Sequence, residues 1–229
     1  MKTQIEHLVR LLQSRVRWRS TPGSSAFTLI EMLVVISIIG ILAALIIPTA
    51  RIVSEKKTRS TVEAELHQLE VPIESYKSKL GFFPPDNTNN PAQPPLYYEL
   101  GGAVSDRNST VFRPLAGGAP INSSTMRTNF SLASFMNSAP SEDDVKNFHP
   151  HIKANQAATN SVGVIFFIVP AQGPSNPKNP YQIISGKPAG LNTWRYDASS
   201  TNRHNLEGYD LWAEIVIGGK TNIIGNWKR

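Results

Sequence analysis

The sequence of 229 residues contains no cysteine. Disulfides, thiol catalysis, iron–sulfur clusters and cysteine-ligated zinc are therefore excluded. The sequence also lacks a P-loop, a dinucleotide-binding fingerprint, a nucleophile elbow and a zinc-protease motif. No group of residues forms a recognisable acid–base set. We therefore expect a protein that is not an enzyme and that holds no cofactor.

Positive charge is concentrated at the amino terminus. The formal net charge is +6, but residues 1–26 hold five basic residues and one acidic residue, so the rest of the chain is close to neutral. No basic stripe with interleaved aromatic residues follows, and we therefore expect no nucleic-acid partner. A basic segment before an apolar run is typical of a leader that stays on the cytoplasmic side of a membrane.

Charge is absent from Met32–Ile47, which reads MLVVISIIGILAALII. With FTLIE in front, the segment starts at Phe27, and at about 1.5 Å per residue it spans about 30 Å, the hydrocarbon thickness of a bilayer. The pattern predicts a transmembrane helix over residues 27–48. A secretory signal peptide is the main alternative, but it predicts a shorter apolar core and an A-x-A-like cleavage site, which Pro48-Thr49-Ala50 matches poorly.

Glu31 is the only charged residue of this apolar segment. A carboxylate at the bilayer centre costs about 2.5–3.5 kcal/mol unless it has a partner, and less near the headgroups, where water solvates it. Cleavage after Ala26 would create an amino terminus at Phe27, four residues from Glu31 and about one helical turn away. The same amine of a neighbouring subunit would also be able to dock on the carboxylate.

Ala26-Phe27-Thr28-Leu29-Ile30-Glu31 and the apolar run resemble the type III signal of type IV prepilins and type II secretion pseudopilins. The resemblance implies cleavage after Ala26 by a prepilin peptidase, N-methylation of Phe27, an assembly role for Glu31 and a helix kink at Pro48. Glycine usually precedes the cut in this family, so Ala26 departs from the pattern. The resemblance also implies a single-pass protein of the bacterial inner membrane with its C-terminal domain in the periplasm. Its partners would be other subunits of the same polymer and an inner-membrane assembly platform.

Helical periodicity resumes after Pro48 and predicts an amphipathic helix over residues 49–83 that continues the N-terminal helix. Pro72 is expected to bend or split this helix, and Gly81 to end it. We interpret the apolar stripe as packing on the domain's own sheet, because it is too short for a coiled coil. Its members are spaced by four and three residues: Val62, Leu66, Leu69, Ile73, Tyr76 and Leu80.

Residues 84–229 are expected to form the head. Residues 84–160 are rich in Pro, Asn, Ser, Ala and Gly, and they predict a long loop insertion with short helices, one beginning at Ser141. Strand patterns return after this insertion, with Gly218-Gly219 as the connection of the last hairpin. The predicted strands are Val162–Val169, Tyr181–Ile184, Trp194–Tyr196, Tyr209–Ile217 and Thr221–Trp227.

Four short segments resemble the major pseudopilin group: Tyr76–Pro84, Asn179–Tyr181, Gly208–Trp212 and Asn226-Trp227. The resemblance implies an α+β fold, a pilin-like lollipop whose long N-terminal transmembrane helix packs on a small antiparallel β-sheet.

Metal binding has only weak support in the sequence. Many major pseudopilins bind calcium in the loop between the last two strands, but here Ile217–Asn222 has no carboxylate, so calcium ligands are not evident. His149 and His151 lie near Asp143 and Asp144, but nothing fixes four ligands around one metal. Asp197 and Asp210 are expected to serve turns or strand ends.

Two functions remain open at this point. The first is a structural subunit of a helical (pseudo)pilus for type II protein secretion. The second is a minor pilin or membrane-anchored binding module that contacts an exported substrate through residues 84–160. Abundance separates the two, because a filament-forming subunit is needed in large excess over a tip protein.

Overall fold

The computed structural model describes residues 28–174 and 192–227. The chain divides into two compact units, Met1–Ala50 and Arg51–Arg229. One helix, α1 (Leu29–Leu80), contributes residues to both units. The head also contains two short helices, α2 (Leu96–Gly101) and α3 (Ser123–Phe130), and a 3₁₀ turn at Glu142–Asp144.

Helix α1 has 52 residues, and neither proline splits it. Pro72 removes one backbone donor, yet the helix continues because Pro72 and its neighbours Leu69 and Ile73 are buried in the head. Gly81 ends the helix as predicted, with a φ of 90° and its N–H on the Lys77 carbonyl oxygen at 2.8 Å. Such a positive φ is available to glycine at little cost.

The predicted apolar stripe of α1 is confirmed as the face that enters the core. Five of its members are buried, and Leu80 is partly buried against the same cluster. Contact with the head keeps these side chains out of water, which stabilises the fold by about 1.5–3 kcal/mol for each large apolar side chain. The five buried members are Val62, Leu66, Leu69, Ile73 and Tyr76.

Three small sheets make up the described strands. The first has the order β3-β2-β1-β4 and is antiparallel except for the parallel pair β1 and β4. The second pairs β5 with β6, and the third has the antiparallel order β7-β8-β9. The strands are β1 Ala103–Ser105, β2 Val111–Pro114, β3 Ile121–Asn122, β4 Ser138–Ala139, β5 Ala157–Thr159, β6 Ile165–Phe167, β7 Arg195–Asp197, β8 Asp210–Ile217 and β9 Lys220–Gly225.

Residues 84–160 contain short helices, α2 and α3, as expected, but they also hold strands β1 to β5, which the expected loop insertion did not include. They also supply an aromatic part of the core, in which the Tyr98 and Phe135 rings stack with centroids 4.7 Å apart. Phe112 meets the edge of the Phe135 ring at 5.2 Å. The helix expected to start at Ser141 is only a 3₁₀ turn of three residues, without a side-chain cap.

The C-terminal strands follow the prediction more closely. Strands β6, β7, β8 and β9 fall within or beside the predicted ranges, and β8 and β9 form the expected hairpin. Gly218 and Gly219 have φ values of 59° and 76°, the two positive values that a type I′ turn requires. The predicted strand Tyr181–Ile184 lies outside the described residues. The described fold is α+β, with an N-terminal helix and small antiparallel sheets, and is consistent with a pilin-like fold.

Candidate functional site

The sequence places the functional site at the start of α1. Ala26 and Phe27 lie outside the described residues, so the geometry of the predicted cleavage point is not part of the structure. The described chain begins at Thr28, and Glu31 occupies the first turn of α1. Pro48 lies within α1, but its side chain belongs to the part that the structure does not describe.

Thr28 and Glu31 form a reciprocal capping box. The Thr28 backbone N–H donates to Glu31 Oε2 at 2.8 Å, and the Glu31 backbone N–H donates to Thr28 Oγ1 at 3.3 Å. The Thr28 hydroxyl also donates to Glu31 Oε2 at 2.7 Å. Two backbone donors that the end of a helix would otherwise leave unpaired are thereby satisfied.

The capping box holds the Glu31 carboxylate at the amino end of α1. A negative charge is favoured there by the helix dipole. Oε2 takes both bonds from Thr28, whereas Oε1 accepts no hydrogen bond from the described residues. Among the described residues, Glu31 therefore has one oxygen engaged by Thr28 and one oxygen without a donor.

Sequence reasoning assigned Glu31 but missed the role of Thr28. The signal was present, because a threonine followed three residues later by glutamate, just before an apolar run, is the pattern of a capping box. The residue that orients the carboxylate is thus encoded inside the same motif as the carboxylate.

The helix surface that follows Glu31 is apolar on every side. All residues described from Leu29 to Ala44 are exposed. Ile36, Ile41 and Leu42, which point in different directions around the axis, are 65%, 63% and 53% exposed. Exposed apolar surface of this extent marks an interaction surface.

The one hydroxyl within Met32–Ala44 is satisfied inside the helix. Ser37 Oγ donates to the Leu33 carbonyl oxygen at 2.7 Å, so it requires no partner from the surroundings. Taken over its described residues alone, no helix of the structure is both long enough and apolar enough for a membrane crossing.

A second group of polar contacts lies deep in the head, around Glu99 of α2. The Glu99 carboxylate is fully buried and accepts the Tyr76 hydroxyl at 2.9 Å. It also accepts the backbone N–H groups of Met136 at 2.9 Å and Asn137 at 3.0 Å. Burial raises the pKa of Glu99 to about 7, while the bonds from Met136, Asn137 and Tyr76 oppose this rise. These bonds connect α1, α2 and the chain leading to β4.

Other carboxylates of the head anchor turns, as predicted for Asp197 and Asp210. Asp210 accepts the backbone N–H and the Nδ1 of His204 at 2.7 and 2.8 Å. Asp197 accepts the Ser200 N–H at 2.8 Å. Asp86, which the sequence did not single out, accepts the N–H groups of Ala198 and Ser199 at 2.8 and 2.9 Å.

His149 and His151, the two histidines that the sequence singled out, lie in the head. The His149 ring packs on Phe167 at 5.7 Å, and burial lowers its pKa, with a smaller contribution from nearby His151. Across the described residues, no three or more His, Asp or Glu side chains are grouped so that they could hold a metal ion.

Comparison with known proteins gives one finding, which falls on the site at the start of α1. Residues 22–47 match the family model described as the prokaryotic N-terminal methylation motif. This motif is found in type IV pilins and pseudopilins. The match indicates a type IV pilin-like substrate of prepilin peptidase. Such a motif implies a membrane-anchored N-terminus and assembly with other pilin subunits. No curated protein and no solved structure matches the chain.

Proposed function

We propose that the chain is a structural subunit of a pseudopilus that serves type II protein secretion. It is cut between Ala26 and Phe27, N-methylated on Phe27, and held in the inner membrane by residues 27–48, with its head in the periplasm. The observation that carries the proposal is the match of residues 22–47 to the N-terminal methylation motif. The resemblance of the C-terminal segments to major pseudopilins supports the secretion role.

Assembly follows from the exposed apolar surface of α1. In the membrane, lipid covers Leu29–Ala44, and in a filament the same segment of neighbouring subunits takes the place of the lipid. A contact between two different faces of one subunit repeats without closing, and so it generates a helical polymer. This function needs no catalytic residue, and we propose a structural rather than an enzymatic role.

Glu31 sets the register of assembly in this proposal. No described residue donates to its Oε1, and the amine of Phe27 in a neighbouring subunit is a donor of opposite charge. In an apolar filament core the effective dielectric constant is low, so a paired carboxylate and amine attract strongly, whereas either one alone is costly to bury. Thr28 holds the carboxylate at the helix end, where the amine of the neighbour has to arrive.

The amino terminus of the mature protein tests the processing step. The full chain is produced with a prepilin peptidase, purified from membranes, and analysed by intact mass and N-terminal sequencing. We expect a chain that begins at methylated Phe27. A chain that begins at Met1 or after Ala50 would contradict the proposal.

Three substitutions separate helix capping from charge pairing at Glu31. Glu31→Gln keeps the capping acceptor but removes the charge, Glu31→Ala removes both, and Thr28→Val removes the cap but keeps the charge. We expect all three proteins to be processed and retained in the membrane. Filaments, counted by electron microscopy, should be lost in both Glu31 variants and only reduced in Thr28→Val.

Normal filaments from Glu31→Gln would refute charge pairing and would leave capping as the role of Glu31. A chain that is processed but occurs only at filament ends, in low abundance, would instead be a minor subunit.

A further inference from the structure

Four basic residues follow the apolar run and are exposed on α1: Arg51, Lys56, Lys57 and Arg59. We name this group the basic collar. Between Arg51 and Arg59 there is a single acidic residue, Glu55. The collar begins four positions after Ile47, the last apolar residue of the run.

The four residues of the basic collar differ in their ion pairs. Arg51 pairs with Glu55 at 3.3 Å, and Arg59 pairs with Glu63 at 2.8 Å. Lys56 and Lys57 form no ion pair with any residue that the structure describes. Their ammonium groups are therefore available to an anion from outside the chain.

The collar is arranged around the helix rather than along one face. Successive residues of a helix are rotated by about 100°, so Lys56 and Lys57 lie about 140° and 240° around the axis from Arg51. A flat protein partner would contact only part of such a group, whereas a layer that surrounds the helix contacts all of it. Helical side chains also tilt towards the amino end, which here is the direction of the apolar run.

Charge along α1 changes sign directly after the collar. Residues 60–76 contain four glutamates and neither lysine nor arginine. Along residues 51–76 the basic residues thus lie at the end that follows the apolar run, and four of the five acidic residues lie farther along. Ile52 and Val53, within the collar, are 53% and 65% exposed. Apolar side chains mixed with basic ones are typical of the boundary between headgroups and acyl chains.

We propose that the basic collar binds the phosphate groups of anionic phospholipids, with Lys56 and Lys57 as the principal contacts. The inference rests on the proposed function, because it requires the apolar run to be in a membrane. Each basic residue near an anionic surface strengthens binding about fivefold, and the effect decreases as salt screens the charges.

The test uses the full chain in detergent micelles, titrated with phosphatidylglycerol or with phosphatidylcholine of the same acyl chains. Bound lipids are counted by native mass spectrometry. We expect phosphatidylglycerol to bind more tightly than phosphatidylcholine, and the double variant Lys56→Gln/Lys57→Gln to lose about 30-fold of this affinity. The matched control is Lys79→Gln/Lys146→Gln, which removes two exposed lysines outside the collar and should bind as the wild type does.

Equal affinity of the wild type for the two lipids would overturn the inference, as would an unchanged affinity in the collar variant. Competition by inorganic phosphate alone would show a free-anion site instead of a lipid site. If the collar variant loses filaments but keeps its lipid affinity, the lysines contact another subunit and the inference is wrong. Membrane retention in alkaline carbonate is measured in parallel, because release of the wild type would contradict the proposed function and not the collar itself.

Discussion

The buried carboxyl of Glu99 makes the stability of the head depend on pH. Burial raises its pKa from 4.5 to about 7, so between these values the folded protein holds a proton that the unfolded chain releases. The contribution of Glu99 to stability is therefore fully present below pH 4.5, decreases as pH rises through this window, and no longer changes with pH above about pH 7. At about 1.4 kcal/mol per pH unit, the Glu99 contribution decreases by about 3 kcal/mol.

The measurement is a difference between two proteins. Urea unfolding of the full chain in detergent is followed by tryptophan fluorescence, to which the buried Trp194 contributes. The free energy of unfolding is determined from pH 4 to pH 8 for the wild type and for Glu99→Gln, which cannot titrate. The free energy of unfolding of the wild type minus that of the variant should decrease by about 3 kcal/mol from pH 4 to pH 8.

The control is Glu74→Gln, which removes an exposed carboxyl from the same helix that carries Tyr76. Its difference from the wild type should stay nearly constant over the same pH range. If Glu99→Gln also gives a constant difference, the carboxyl titrates at its ordinary value, and the reasoning from burial is refuted.

Four further substitutions at three positions of the head are measured by the same unfolding assay. Tyr76→Phe removes the hydroxyl that donates to Glu99. We expect the free energy of unfolding to decrease by about 1–3 kcal/mol, and by more above pH 7, because the acceptor is then charged. An equal decrease at every pH would contradict this expectation. Asp86→Ala leaves the part-buried N–H groups of Ala198 and Ser199 without their acceptor, which should cost about 1–3 kcal/mol in total, whereas an unchanged midpoint would show that water replaces the carboxylate. Gly219→Val forces a β-branched residue to a φ of 76° with no neighbour in the way, which should cost about 1–3 kcal/mol, and Gly219→Asn should cost clearly less.

The sequence predicted correctly those elements that have a long or self-contained local pattern. The stripe from Val62 to Tyr76 repeats over four turns of helix, so its period is clear from the sequence, and Gly81 ends it with a conformation that glycine adopts easily. The Gly218-Gly219 hairpin was predictable for the same reason, because two adjacent glycines satisfy the turn by themselves.

Short elements and distant contacts were not predictable. Strands β1 to β5 have two to four residues each, which is too few to show a period of two. Their stability comes from pairing and from the aromatic cluster around Phe135. Glu99 and Tyr76 are 23 positions apart, and no local signal joins them. At the candidate site, the motif identified Glu31. The hydrogen bond from Thr28 to Glu31 was also predictable, because the two residues have the three-residue spacing of a capping box.

The buried stripe of α1 determines how the head resists mechanical load. From Val62 to Tyr76 the stripe extends about 21 Å along one axis, and the Tyr76 hydroxyl adds a bond to Glu99 at its far end. A pull along this axis strains all of these contacts together, in shear, whereas a pull across it would open them one after another. A load applied to the head along the axis of Val62–Tyr76 therefore acts in the stronger direction of the head.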